Sequence, residues 1–196
     1  MSEEASGGAG PVRQVDVQAL RALAHPVRVQ ILNMLTLEGP ATSAGLAHRL
    51  GVHSGSTSWH LSKLAEHAFI EEIPDRGTRR ERWWQAAAPG WSVDAAGYLS
   101  DPETSAEAMT VLAASISEQF RRAQQFLAED WDEAWREAWI LESSPPLRLD
   151  PDGLSAMGEE LREVMARYAA GPCSTPAAET VLVHVQGFPV HQPETK

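Results

Sequence analysis

Only three residues, Gly51-Val52-His53, join two stretches that each carry apolar groups at helical spacing, and so short a joint fixes how the two must pack. Upstream, Thr42 stands where an N-cap belongs, Leu46 and Leu50 turn inward, and Gly51 takes the closing position that suits a left-handed residue. Downstream, Thr57, Leu61, Leu64 and Ala68 follow at steps of four, three and four, which assigns them to the buried side of a second helix. Two helices hinged on a tight glycine turn make the helix-turn-helix pattern.

The second helix has an odd composition. HSGSTSWHLSKL, from His53 to Leu64, crowds serine, threonine and glycine into little more than a turn, although these are mediocre helix formers. With Thr57 and the leucines inward, Gly55, Ser56, Ser58, Trp59 and Ser62 fall on or beside the outward face, with Ser54 at the helix start. Small residues there would let the helix sit deep in a major groove about 12 Å wide, with hydroxyls to bond bases or phosphates. The helix N-terminus itself attracts phosphate. The competing reading makes Ser54 an N-cap and the rest a solvated face. Trp59 either stacks on sugar or thymine methyl surface or packs at the helix edge. His60 either donates to a phosphate, the favoured reading, or sits satisfied at the core boundary. Lys63 is a contact or an ordinary solvated lysine, and Thr42 and Ser43 join the candidates from the preceding helix.

The flanks complete a domain. Val17, Leu20 and Leu23 mark one helix, His25-Pro26 interrupts it, and a second runs from Pro26 to about Leu37 before Gly39-Pro40. Residues 69–74 and 80–86 take strand character around a glycine-centred turn. That hairpin is basic at its tip: Arg76, Thr78, Arg79 and Arg80 can reach a DNA backbone or minor groove, Arg76 and Arg79 foremost. Arg80 or Arg82 can instead pair with Glu71 and Glu72 across the strands.

The net charge of −11 speaks against a nucleic-acid partner only until its distribution is read. Residues 12–88 hold nine basic and seven acidic side chains, a balance of +2, whereas residues 89–196 hold seven and eighteen, a balance of −11. The organisation expected is a disordered tail over 1–12, a winged helix-turn-helix domain over 13–88, a linker over 89–102 and a C-terminal domain over 103–196. In the last, Asp101-Pro102-Glu103 signals the start of a helix running to about Glu129, and Met109, Ala113, Ile116, Phe120, Ala123 and Leu127 repeat at coiled-coil-like spacing. Such a seam serves either the internal core or a dimer, for which Met109, Ile116, Phe120 and Leu127 are the candidate residues. Trp131, Trp135 and Trp139 recur every four residues and are either core or the lining of a pocket for an apolar effector. A further helix spans 150–171, and Thr180 to Val190 reads as a strand that would pair with 139–142 or 147–149. The fold class is therefore mostly α with small β: a winged helix-turn-helix domain followed by a helical α+β C-terminal domain.

Taken as a set, LAHPVRVQILNML, the 42–50 helix, HSGSTSWHLSKLAEHAFI and the basic hairpin ending ERWWQAA resemble the winged helix-turn-helix regulators of the ArsR type. It is similar in particular to the actinobacterial subgroup with an extra C-terminal domain; the detailed match covers 20–88, and only the layout matches beyond it. The resemblance implies a dimeric repressor that binds a pseudo-palindromic operator in double-stranded DNA and releases it when an effector binds; the want of a membrane span and of a signal-peptide pattern at the start makes a cytoplasmic location the expectation. One departure matters. Metal-sensing members carry a cysteine-containing box on the helix before the turn, and TSAGLAHRLG has no thiol there.

Other classes find less support. His53, His60 and His67 recur every seven residues, about 10 Å of helical rise, too far apart to share one zinc. His184 and His191, in or after the last strand, are the alternative metal pair. The one cysteine, Cys173, has no neighbouring cation to activate it, so no cofactor and no metal is expected. No catalytic signature or phosphate-cradling glycine loop is present, which argues against an enzyme. No apolar run approaches a membrane span, so no membrane partner is expected. The rival binding class is a protein-interaction module that uses the winged helix as a docking domain.

Overall fold

Asp16 starts the first helix in the way its chemistry favours: its carboxylate accepts the Ala19 amide at 2.8 Å, leaving Leu20 and Leu23 to bury completely. The computed structural model describes residues 13–74, 76, 81–140, 145–171, 175 and 178–190. These form, in order, β1 (Arg13–Gln14), α1 (Val17–Leu23), α2 (Pro26–Glu38), β2 (Ala41–Thr42), α3 (Ser43–Leu50), α4 (Ser54–Glu66), β3 (Ile70–Ile73), β4 (Trp83–Ala86), β5 (Trp91–Ser92), α5 (Ala95–Ser100), α6 (Ser105–Ala128), α7 (Glu133–Ala138) and α8 (Pro151–Ala169). The described residues are mostly helical with two small sheets.

His25 and Pro26 make the α1–α2 corner. Pro26 takes the first helical turn, where its missing N–H costs nothing, and His25 Nδ1 accepts the Val27 amide at 3.2 Å. Thr42 caps α3 as its sequence position requires, accepting the Gly45 amide at 3.1 Å, and Gly51 closes that helix at φ +67°. The three-stranded sheet has the order β2-β4-β3, all antiparallel, with Thr42 opposite Trp83 and Ile73 opposite Trp83 from the other side. One core of Leu20, Leu23, Ile31, Leu46, Leu61, Leu64, Ile70 and Trp84 unites these elements.

The stretch expected as a linker, 89–102, is instead part of this unit. Trp91 and Ser92 pair in parallel with Arg13 and Gln14, and the Tyr98 hydroxyl donates to the Val15 carbonyl at 2.7 Å. Small, turn-rich composition hid two short elements whose stability comes from distant partners. The long helix likewise begins three residues later than its start signal, because Asp101 closes a turn first, accepting Glu103 N through its side chain and Thr104 N through its carbonyl. Ala108 and Val111 of α6 then enter the same core as α1 and α2, so α6 belongs with the helix-turn-helix rather than with a separate C-terminal domain. The boundary between the chain's two units falls at Ala128–Glu129.

In the second unit Asp132 caps α7 and Asp150 caps α8, accepting the Trp135 and Gly153 amides at 3.0 and 2.8 Å. Neither helix holds a fully buried residue. Residues 180–190, read as a strand, form no ladder among the described residues; residues 141–142 of the expected partner lie outside them, and 147–149 do not pair with it. The tail over 1–12 and Cys173 are also outside the described residues. Among the described residues no helix is long and apolar enough to cross a membrane, and no cluster of three metal-ligating side chains occurs.

Candidate nucleic-acid interface

Three side chains anchor α4 to the scaffold. Thr57, Leu61 and Leu64 are fully buried, and the Thr57 hydroxyl donates to the His53 carbonyl at 3.3 Å, so burial leaves no unmet polar group there. Ala68, expected on the same face, is exposed at φ +52°, because the helix has ended at Glu66 and the chain turns toward β3.

The outward face carries Ser54, Gly55, Ser56, Ser58, Trp59 and Ser62, all exposed. His53, not Ser54, occupies the N-cap position, and its side chain caps nothing. The first amides of α4 thus lack a side-chain partner and keep the anion affinity of a free helix start. Serine hydroxyls divide by role. Ser58 and Ser62 donate back to the Ser54 and Ser58 carbonyls, each at 3.1 Å, and Ser43 shares a 2.9 Å bond with Ser58 that pins α3 to α4. With their protons engaged, Ser58 and Ser62 present acceptor lone pairs to an incoming group. Lys63 pairs with Glu66 at 2.6 Å on the half-exposed flank.

Trp59 is 53% exposed, the largest apolar surface on this face. Its indole meets the His60 ring edge-on, with centroids 4.9 Å apart. His60 does not reach solvent as the phosphate reading required. It is buried, packed against His25 with ring centroids 4.5 Å apart, because its place on the helix points it between α2 and α4. Burial first, then the charges of His25 and Arg28, hold its pKa below the ordinary histidine value.

In the hairpin, Arg76 lies over the Trp83 ring at 4.2 Å and is exposed. Arg82 pairs with Glu72 at 2.6 Å across the strands and covers Trp84 at 4.4 Å, the structural alternative read from the sequence. Thr78, Arg79 and Arg80 lie outside the described residues. Arg82 also borders a shallow cleft of about 140 Å³ with Ser43, Ser58, Ser62 and Trp84, a neighbour of the outward face that strand periodicity gave no reason to select.

Two groups beyond this face were also expected to act. Met109, Ile116, Phe120 and Leu127 are all exposed along α6, as are Ala113 and Ala123 between them, so among the described residues the seam does not join the core of its own unit. Trp131 and Trp135 meet edge-on at 6.3 Å, but with Trp139 they do not line the groove of about 430 Å³ in their unit. Leu154, Met157, Leu161 and Met165 of α8 line it, with Val185 and Gly187.

Residues 23–73 match the helix-turn-helix domain family, a span that contains α2, α3, α4 and β3. No curated protein matches the chain. Among solved structures it is similar to reduced HlyU from Vibrio cholerae, at 23% identity over 51% of this chain and 85% of that one, with a TM-score of 0.33. A mutant of ZitR from Lactococcus lactis in its apo form shares 15% identity over 74% of this chain and 83% of that one, with a TM-score of 0.32. The transcriptional regulator BldR from Sulfolobus solfataricus shares 16% identity over 72% and 73%, with a TM-score of 0.30.

Proposed function

We propose that this chain is a sequence-specific, DNA-binding transcription regulator of the ArsR type, a repressor that grips its operator as a symmetric dimer. One observation carries the reading: a helix anchored by Thr57, Leu61 and Leu64 turns an uninterrupted row of small polar residues and one indole toward solvent. Side chains that small leave the helix axis free to approach base edges, and Trp59 supplies the apolar surface that a thymine methyl or deoxyribose would cover. Thr42 and Ser43 of α3, the uncapped start of α4 and Arg76 of the hairpin are the backbone-facing groups, with Thr78, Arg79 and Arg80 assigned to the same task from their sequence position.

A symmetric dimer places two such helices about one helical turn, roughly 34 Å, apart on the duplex. The apolar row of α6 from Met109 to Leu127 extends about 27 Å at 1.5 Å per residue, and a second copy would cover it. Release by a small apolar effector completes the reading; the groove beside α8 is the better candidate for that ligand than the three tryptophans.

Selection of bound fragments from random duplex DNA at near-physiological salt tests the proposal. A palindromic consensus with half-sites about one turn apart is expected. Recovery of no enriched sequence, together with binding insensitive to salt, would refute DNA reading and leave the protein-docking alternative.

A further inference from the structure

A cation without a counter-ion sits beside the outward face of α4. Arg28, in the first turns of α2, is 9% exposed, forms no ion pair among the described residues, and has its Nε buried without a hydrogen-bond partner. Its guanidinium carbon lies 5.7 Å from the centroid of the Trp59 ring. Behind that indole stands His60, whose Nδ1 is likewise buried and unpartnered, and behind His60 stands His25, whose Nδ1 is already engaged by the Val27 amide.

Removing a guanidinium from water is costly, and proteins ordinarily offset the cost with a carboxylate. Among the described residues none is paired with it: burial lowers the Arg28 pKa, and Arg28 in turn disfavours the protonated forms of both histidines. The positive potential that repels a proton from this cluster attracts an anion. Cation–π contact with Trp59 compensates Arg28 in part, yet it leaves the buried Nε–H donor unused.

We infer that Arg28 is a phosphate-binding residue contributed from outside α3 and α4, paired with no carboxylate among the described residues and met by a DNA phosphodiester oxygen at the terminal Nη edge of its guanidinium, the Nε being buried. The inference rests on the reading of α4 as the DNA-contacting helix. The guanidinium and the Trp59 indole would then meet the same strand, one on backbone and one on sugar or base surface, which gives α4 a fixed depth as well as a sequence preference. Arginine suits the role because its planar fork can donate two parallel bonds to a phosphate.

The test uses the full chain and the consensus duplex from the selection above. Arg28→Met should weaken binding to all duplexes alike, on the order of ten- to a hundredfold, and flatten the salt dependence by about one unit of slope. Its thermal midpoint should stay level or rise, since an apolar side chain of similar length relieves the buried charge; a residue that merely supported the fold would lower it. A wild-type slope in Arg28→Met overturns the inference while leaving DNA binding itself intact, whereas absence of salt-dependent binding in the wild type overturns the functional reading on which it rests. Nitrogen-15 spectra of the wild type cover the case of a variant that does not fold. The Arg28 Nε–H resonance should shift on adding duplex as the guanidinium engages phosphate, and an unmoved resonance in a saturated complex overturns the inference.

Discussion

Glu118 is the one buried carboxylate among the described residues of the helix-turn-helix unit, and replacing it by glutamine isolates what its charge contributes. The side chain is 4% exposed. Arg121 reaches both of its oxygens at 2.7 Å, and Arg122 reaches one at 2.9 Å. Arg122 continues to Glu38 at 3.1 Å, and Glu38 also pairs with Arg49, so a chain of charges joins α6 to α2 and α3. Breaking a buried pair by removing one member typically costs about 3 to 5 kcal/mol. Two features reduce that figure here: Arg121 is half exposed and so solvent-screened, while Glu38 keeps Arg122 partly paired. Glu118→Gln should therefore cost about 2 to 3 kcal/mol, which for a chain of this size corresponds to a fall of roughly 4 to 12 °C in Tm. Thermal unfolding followed by circular dichroism at pH 7 measures it, and Arg122→Met alone and combined with Glu118→Gln gives the coupling. The pH dependence has a definite sign. Burial pushes the Glu118 carboxyl up, but the hydrogen bonds and charge of Arg121, then Arg122, outweigh it and hold the pKa below the ordinary value. A depressed folded-state pKa confers stability above the unfolded pKa, and that stability disappears as pH falls through the folded one. The gap between wild type and Glu118→Gln should thus close in acid. A gap of less than about 1 °C at pH 7, or one that persists in acid, refutes the assignment.

Two further outcomes are expected. His25 and His60 have pKa values lowered chiefly by burial, so below about pH 6.5 the unfolded chain takes up protons that the folded chain refuses, and stability declines as pH falls toward the folded-state values; the urea midpoint should drop between pH 7.5 and 5.5, and by less in a His25→Asn, His60→Asn variant. An identical drop in the two proteins would remove the histidines as its cause. Phe120→Asp should convert a wild-type dimer to a single chain in sedimentation with its helical signal intact, because Phe120 is 65% exposed in one copy and supports no core; a wild type that already sediments as a single chain at micromolar concentration would dispose of the α6 interface.

The helix-turn-helix was legible because its information is local. Leucine spacing, the Thr42 cap, the Gly51 closure and the His25-Pro26 corner are each written in a few adjacent residues, and each reappears in α1 to α4 at nearly the expected boundary. The segment over 89–102 was not legible for the complementary reason. Nothing in PGWSVDAAGYLS announces a strand; Trp91 becomes one by pairing with Arg13, and Tyr98 is fixed by a hydrogen bond to Val15. The same dependence decided the fate of α6, whose apolar stripe was visible while the opposite face, Ala108 and Val111, was too plain to reveal that it joins the core of α1 and α2.

Polar side chains divide along the same line. Helical periodicity was enough to turn Ser56, Trp59 and Ser62 outward, since the phase was set by Thr57, Leu61 and Leu64. It failed for His60, which follows Trp59 by one residue, about 100° of helical rotation, and so lies near the edge of the buried sector, where the neighbouring helix decides the outcome. Here the neighbour is α2, and it brings His25 and Arg28. Nothing in the sequence singled out Arg28; only its depth, and the lack of an ion pair among the described residues, mark it out. A buried charge is thus the kind of residue a single sequence cannot disclose, because what makes it unusual is the partner that did not fold against it. If Arg28 binds phosphate, that missing partner is the duplex, and the cost of leaving the cation bare in the free protein is offset only on DNA.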